Sequence, residues 1–190
     1  MSNPQSADLA DSAMATKSRM PSSSAEKGSL GVAILRVVLG LIILSVWWGN
    51  VTQDPNFYSG DGIRGFFDWV FSDPESEGGG NGSSLGFVES IIDATVLQAP
   101  GFFGFAQMIV ELLIGIALVV GLFTRLASGL AFAFFVGLFF TYFGGEEWIG
   151  VYIMLVVGAL TVFLSWGGRM FGADQAIYAA KGDSPGKLLW

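Results

Sequence analysis

The chain has 190 residues and a formal net charge of −7; 52% of its residues are hydrophobic and only 13% are charged. Because a soluble domain carries about 25% charged residues, this composition leaves too few polar groups to cover a soluble surface. Cys and His are both absent, which excludes disulfides, thiolate nucleophiles, catalytic triads that use His, and metal centres, clusters or haems bound through Cys or His.

The predicted elements begin with a tail and continue with four apolar segments. Residues 1–29 are rich in Ser and Ala without periodicity, which predicts a disordered cytoplasmic tail. The segment 30–48 starts too far from the first residue for a cleaved signal, so we expect a retained first span. Three further apolar segments follow at 102–123, 126–143 and 148–166. Each of the four is close to the roughly 20 residues that an α-helix needs to cross a bilayer. The sequence predicts an all-α membrane protein, a four-transmembrane-helix bundle.

The charges predict the orientation of this bundle. If both termini are cytoplasmic, the inner segments contain seven Lys and Arg residues, and the outer segments contain only Arg64. This bias predicts a multi-pass protein of the cell membrane with its N- and C-termini in the cytoplasm. Acids collect in the outer loops, which suits a salty exterior and suggests a halophilic source. An ordinary solvated acidic loop is the alternative, and loss of folding at low salt would distinguish the two.

The first outer loop, 49–101, is too long for a plain connection. Within it, "GIRGFFDWVF" and "LGFVESIIDATV" place apolar residues at helical spacing opposite charged ones. Both segments predict short amphipathic helices that lie on the membrane surface or cap the bundle. The centre of the loop, "SDPESEGGGNGSS", predicts a mobile segment. It lacks the preceding strand and the Lys of a phosphate-binding loop, and no basic-aromatic surface predicts nucleic acid as a partner.

Two ionisable residues, Arg36 and Glu111, fall inside the predicted spans. A charge at that depth costs several kcal/mol, so both side chains are expected to face the bundle interior. Measured from the cytoplasmic span ends at about 1.5 Å per residue, Arg36 is roughly 9 Å and Glu111 roughly 18 Å deep, a gap that an extended Arg side chain can span. One interpretation is therefore a structural Arg36–Glu111 pair that joins the first two spans.

The other interpretation is a quinone site. Gln107 lies one turn from Glu111 on the same face, Gly115 leaves an open notch one turn further on, and Tyr152 lies on the fourth span. Donors could meet the carbonyl oxygens of a quinone headgroup while a carboxyl handles a proton. Glu111 and Arg36 are thus the candidate catalytic residues, Gln107, Glu111 and Tyr152 the candidate quinone-binding residues, and no metal site is predicted. Quinone is the one cofactor expected, bound non-covalently.

The third span carries a row of small residues. Gly129, Ala133 and Gly137 recur every four residues, a spacing that places them on one face of a helix and lets another helix approach closely. This row predicts a tight helix–helix contact, and the lipid bilayer is the predicted environment on the remaining faces.

Three stretches carry a family resemblance. "ILRVVLGLIILSVWWGN", "ELLIGIALVVGLFTRLAS" and "GGRMFGADQA" together resemble the DoxX/DoxD family of four-helix membrane proteins, and most closely its DoxD-like branch, the membrane subunit of thiosulfate:quinone oxidoreductase. The resemblance implies a DoxX-like membrane domain over 30–176, followed by a cytoplasmic tail over 177–190. It also implies that the family's motif positions are Arg36, Glu111, Thr124, Arg125, Gly168, Arg169 and Asp174. Arg125 also has a topogenic role in a cytoplasmic turn, and Arg169 and Asp174 could pair where the last span ends.

The resemblance implies oxidation of thiosulfate to tetrathionate with electrons passed to a membrane quinone. Because the chain has no signature of a redox cofactor, it would supply the quinone pocket, and a partner subunit of a sulfur-oxidising complex would supply the thiosulfate chemistry. A non-catalytic scaffold or anchor for a partner oxidoreductase is the alternative. A small transporter is disfavoured, since the spans lack Gly/Pro breaks at corresponding positions. Homo-oligomerisation is compatible with each interpretation.

Overall fold

The computed structural model describes residues 23–165 and 171–181, and within this part of the chain every regular element is helical. The helices are α1 Ser23–Thr52, α2 Gly60–Phe71, α3 Gly86–Ala94, α4 Pro100–Val120, α5 Thr124–Thr141, α6 Gly150–Leu164 and α7 Ala173–Lys181, with a short 3₁₀ helix, Val96–Gln98, before α4.

Three of these helices are long and apolar enough to cross a membrane. They contain the segments Leu30–Thr52, Pro100–Val120 and Thr124–Thr141, with mean hydropathies of 2.5, 2.3 and 1.5. Helix α6 is also apolar, but its 15 residues fall short of the roughly 20 that a perpendicular crossing needs. The prediction of an all-helical membrane protein is confirmed. The fourth crossing, expected over 148–166, stays a prediction.

The four apolar helices pack side by side. Helix α1 contacts α4 and α6, and α5 contacts the same two helices from the opposite side. Their shared core includes Leu39, Leu118, Ala131, Ala159 and Val162, each no more than 2% exposed. Helices α2 and α3 lie over one end of this bundle, the loop end. Helix α7 lies at the opposite end, the tail end, where the turn between α4 and α5 is found.

A close backbone approach in the bundle joins α1 to α4. A Cβ atom built on Gly40 would lie 2.9 Å from both the carbonyl oxygen of Gly115 and the amide nitrogen of Val119. A Cβ atom on Gly115 would lie 2.7 Å from the Leu44 side chain. Between lipid-exposed helices, such close packing replaces the hydrophobic driving force that water would supply. The notch expected at Gly115 is therefore filled by Leu44.

The small-residue row predicted on the third span makes different contacts at its two ends. At Gly129, a Cβ atom would come within 3.3 Å of the Phe163 ring, which indicates a close contact with α6. At Gly137, a Cβ atom would meet nothing within 4 Å. The predicted tight contact thus exists at one end of the row only.

The loop end is more ordered than the sequence suggests. Helices α2 and α3 occupy the two amphipathic segments, and α2 buries Ile63 and Val70. The Gly/Ser-rich centre packs around Asn81, which is 1% exposed. The carbonyl oxygen and side-chain oxygen of Asn81 accept hydrogen bonds from the backbone N–H groups of Glu146 (2.8 Å) and Glu147 (3.2 Å). The prediction of a mobile centre is wrong at Asn81, because the backbone and the side chain of this residue join the two outer connections through hydrogen bonds.

Helical structure extends into both predicted tails. Helix α1 begins at Ser23, so 23–29 belong to the helix and only 1–22 of the predicted tail lie outside the described residues. Helix α7 ends at Lys181, inside the predicted tail 177–190. Once a helix is nucleated, each further residue adds a hydrogen bond at little cost, which favours such extension beyond the apolar core.

The Gly40 contact can be tested by one added methyl group. Gly40→Ala should lower the free energy of unfolding by about 1–3 kcal/mol, because the methyl group would press on the backbone of α4. Thermal unfolding in detergent, followed by circular dichroism, measures the change. Gly31→Ala is the matched control on the same helix, since a Cβ atom there meets nothing within 4 Å. Equal effects of the two substitutions would contradict the proposed packing.

Candidate functional site

The loop-end half of the bundle encloses a cavity of about 520 Å³. This volume lies within the range of roughly 300–1,000 Å³ that is typical of small-molecule sites. Most of the wall is apolar and comes from α1, α5 and α6, with aromatic rings from α2 and the residues before it. The polar groups at its surface belong to Asn50, Gln107, Glu111, Thr141, Tyr142 and Tyr152.

Glu111 is the most deeply buried polar group at the cavity, at 2% exposed. Its Oε1 atom accepts a hydrogen bond from Nε2 of Gln107 at 2.7 Å, and its Oε2 atom accepts one from the Tyr58 hydroxyl at 2.5 Å. Nδ2 of Asn50 donates to the same hydroxyl at 3.3 Å. These four side chains, Asn50, Tyr58, Gln107 and Glu111, form the polar set. Two donors on one carboxyl offset part of the desolvation that burial imposes.

Tyr58 reaches Glu111 because the chain after α1 folds back against α4. The carbonyl group of Tyr58 lies directly against Gly104, where any side chain would collide with it. The Tyr58 ring also packs edge-on against Phe57, with ring centroids 5.1 Å apart. A glycine about two turns before Glu111 therefore allows a loop residue to enter the site.

The environment of Tyr58 keeps its hydroxyl protonated. Burial raises the pKa of Tyr58 above its ordinary value, and the hydrogen bond to Glu111 raises this pKa further because an ionised phenol could not donate it. Tyr58 is therefore a stable donor to the carboxyl over the physiological pH range.

Arg36 does not pair with Glu111. Gly40 and Leu44 of α1 lie level with Val119 and Gly115 of α4, so at 1.5 Å per residue Arg36 and Glu111 are roughly 15 Å apart along the bundle. The hydrogen bonds of Glu111 go to Tyr58 and Gln107 instead. The interpretation of a clasp between these two charges is wrong, because depths measured from the predicted span ends misplaced α1 against α4.

Arg36 instead belongs to a tail-end cluster with Phe123, Thr124, Phe171 and Asp174. Arg36 is 1% exposed; its Nη2 atom donates to the carbonyl oxygen of Phe171 at 3.0 Å, and the Asp174 carboxylate attracts it electrostatically. Asp174, 0% exposed, accepts hydrogen bonds from the backbone N–H groups of Phe123 and Thr124, both at 2.8 Å. A side chain from α7 thus caps the N-terminus of α5, which has no cap of its own.

Of the other residues that the resemblance assigns to the motif, Arg125 makes a contact between helices, and two lie outside the described residues. The Arg125 guanidinium lies 5.1 Å from the centroid of the Phe163 ring, a cation–π contact between α5 and α6. Gly168 and Arg169 lie outside the described residues, and so does the predicted pairing of Arg169 with Asp174. In the part of the chain that the structure describes, no group of three or more Asp, Glu, His or Cys residues is placed to hold a metal.

The structure brings the three candidate quinone-binding residues, Gln107, Glu111 and Tyr152, to one cavity. Tyr152 stacks on Tyr142, with ring centroids 5.0 Å apart and planes 12° apart. Asn50 and Tyr58 were missed by sequence reasoning, since both lie at the end of α1 or in the connection after it, where no periodicity marks the side that faces inward. The nearest signal is a tyrosine directly after a span, in "DPNFYSG".

The cap of α5 generates a stability prediction. Asp174→Ala should lower the free energy of unfolding by about 3 kcal/mol, because it removes the cap and the carboxylate that faces Arg36. Asp174→Asn should lower the free energy of unfolding by less, since the amide oxygen can still accept a hydrogen bond from a backbone N–H group. Chemical unfolding in detergent measures both. Glu77→Ala, at an exposed acid, is the control and should leave stability within about 0.5 kcal/mol; a similar loss in all three variants would contradict the role of Asp174.

Comparison with known proteins agrees with the resemblance to the DoxX family. A model of the DoxX family matches residues 31–144, which is more than half of the chain and includes Arg36, Glu111, Thr124 and Arg125. No solved structure matches the chain. The chain is an integral membrane protein of the DoxX family.

Proposed function

We propose that the chain is the quinone-binding membrane subunit of a sulfur-oxidising system, in the manner of the DoxD-like branch. One observation carries this proposal: an apolar cavity of about 520 Å³ holds a single buried carboxyl, Glu111, at its wall. A quinone headgroup is a flat apolar ring with two carbonyl acceptors. An amide carries two donor hydrogens, so Gln107 can donate to a ligand while it holds Glu111.

The proposed reaction balances with a partner that holds the sulfur chemistry. Two thiosulfate ions join through a new S–S bond to give tetrathionate and release two electrons. The quinone takes up these two electrons and two protons to become a quinol. Glu111 passes protons to the quinone oxygen, and the Tyr58 hydroxyl, which Glu111 contacts, connects the carboxyl to the loop end of the bundle.

The charges at the loop end explain why the proposal includes a partner that binds thiosulfate. In the described residues, Arg64 is the one basic side chain at that end, and it donates to the carbonyl oxygen of Leu97 at 3.0 Å. The surrounding acids would repel a dianion such as thiosulfate. Quinone binding therefore belongs to this chain, and thiosulfate binding belongs to another subunit. The halophilic hypothesis, which rests on the same acids, stays a prediction.

A non-catalytic anchor for a partner oxidoreductase is the second candidate. One observation favours it: Asp174 fixes α7 against the turn between α4 and α5 through two buried hydrogen bonds. This arrangement presents a short, firmly attached helix at the tail end, where a partner could dock. The anchor requires no ligand in the cavity, so substitutions at Glu111 separate the two candidates.

The quinone proposal predicts the behaviour of Glu111→Gln. In membranes that contain the whole system, thiosulfate-dependent reduction of a quinone analogue should fall about 100-fold, which is typical for loss of a general acid or base. Quinone binding to the purified variant should stay within a few-fold, because the amide keeps the shape of the carboxyl. Tyr58→Phe should give a smaller loss of rate. Glu77→Gln, an exposed acid, is the control.

Two results would contradict the quinone proposal. Normal turnover of Glu111→Gln at wild-type expression would remove the proposed role of the carboxyl. Failure of the unsubstituted protein to bind any quinone analogue would leave the anchor as the better candidate.

We also propose that α6 is the fourth crossing and that both termini are cytoplasmic. Gly158, Ala159 and Val162 bury one side of α6 against the bundle, and the basic residues favour this orientation. Because the chain has no Cys, single cysteines can report the topology. A cysteine at Glu147 should react with an impermeant thiol reagent added outside intact cells, and one at Lys181 should react only after lysis. The same sidedness at both positions would contradict an odd number of crossings between them.

A further inference from the structure

Helix α5 carries one continuous exposed stripe along its length. Its members recur every three or four residues: Leu126, Leu130, Ala133, Gly137 and Phe140. The opposite face of the helix carries the buried residues Ala131 and Phe135. In a membrane the exposed stripe is the lipid-facing side of α5, and it changes from Leu to Ala and Gly in the loop-end half of the helix.

The small members of this stripe also line the cavity. Ala133 and Gly137 belong to the same cavity wall as Glu111. Nothing lies within 4 Å of a Cβ atom built on Gly137, so no neighbouring helix covers this position. Two further wall residues are exposed, Val46 at 51% and Val151 at 44%. The cavity and the lipid-facing surface are therefore continuous at this point of α5.

The routes into the cavity from the two ends of the bundle are filled. Toward the loop end, the Phe66 ring packs against Phe57 and Tyr142, with centroids 5.6 Å and 6.2 Å apart. Toward the tail end, the core residues Leu118 and Ala159 are fully buried. An apolar opening at Ala133 and Gly137 remains, and it faces hydrocarbon.

We infer that the cavity opens sideways into the bilayer at Ala133 and Gly137, and that its ligand is an amphiphile. The polar head of this ligand lies at Glu111, and its apolar chain passes Gly137 into the lipid. The identification of the head as a quinone rests on the proposed function. The lateral opening does not, because it follows from the wall of the cavity. The ligand that we infer is therefore a ring that bears carbonyl groups and is joined to a long apolar chain.

The opening can be tested without any ligand. Because the chain has no Cys, Ile42→Cys places one thiol on the cavity wall, on α1. This thiol should react with an apolar, lipid-soluble maleimide and not with a charged, impermeant one. Adding Gly137→Phe should slow the reaction with the apolar maleimide about tenfold. This factor corresponds to an activation free energy of entry that is higher by little more than about 1 kcal/mol. Leu130→Phe, on the same stripe but outside the cavity wall, is the matched control and should leave the rate unchanged.

The chain of the ligand can be tested with two probes that share one ring. A quinone with a ten-carbon chain and a tail-free quinone are titrated into the protein in nanodiscs at one fixed lipid ratio, so that partitioning into lipid is the same for every variant. Gly137→Phe should weaken binding of the chain-bearing quinone about tenfold, as expected when two or so methylene groups lose their contacts. Binding of the tail-free quinone should change less than twofold.

The outcomes separate this inference from the proposed function. Equal labelling of Ile42→Cys by the charged reagent, or equal apolar labelling with and without Gly137→Phe, would overturn the lateral opening even if quinones bind. Apolar labelling that depends on Gly137, with no binding of either quinone, would support the opening and contradict the quinone. If Gly137→Phe lowers the helix content by circular dichroism, Gly137→Val takes its place with the same expectations.

Discussion

The close contact between α1 and α4 determines where the two charged residues inside the spans, Arg36 and Glu111, lie. Gly40 lets α1 approach the backbone of α4, and Gly115 makes room for the Leu44 side chain of α1; these contacts fix the register of the two helices. In that register Arg36 lies near the tail end and Glu111 in the loop-end half, too far apart to form an ion pair. Each charge must then find partners at its own end, since a lone charge in hydrocarbon is costly. Arg36 finds Phe171 and Asp174, which α7 supplies. Glu111 finds Gln107 on its own helix and Tyr58 from the loop.

This division gives the two ends of the bundle different properties. At the tail end, buried polar groups meet one another directly: the Asp174 carboxylate occupies the N-terminus of α5, and the helix dipole and two backbone N–H groups favour its charge there. At the loop end, the polar set lies at the edge of a cavity instead of filling it. Hydrogen-bonded polar groups that are fully enclosed stabilise a fold, whereas the same groups beside open apolar space can meet a ligand. Under the proposed function, the loop end is therefore the half that binds the ligand, and the tail end joins the helices.

The sequence predicted the features that depend on composition and local spacing. The apolar segments required membrane-crossing helices, and the four-residue interval between Gln107 and Glu111 required both side chains on one face. The features it could not predict depend on how distant segments meet. Gly40 and the row from Gly129 to Gly137 look equally suitable for a close helix contact, and only the assembled bundle shows that Gly40 makes one and Gly137 does not. Tyr58 and Asn81 lie in segments with no periodicity, so the partial burial of Tyr58 and the full burial of Asn81 follow from tertiary contacts alone.

The placement of the residues that the resemblance assigns to the family's motif limits what that resemblance implies for function. Arg36, Thr124 and Asp174 meet at the tail end, and Arg125 stacks on Phe163 nearby. In this chain these contacts close the bundle and cap a helix, and none of them lies at the cavity. Of the described motif residues, Glu111 alone lies at the cavity. Its surroundings, including Tyr58 and the opening at Gly137, come from positions outside the motif. In this chain, the residues that the resemblance names therefore support mainly the architecture, while the choice of ligand depends on the residues that line the cavity.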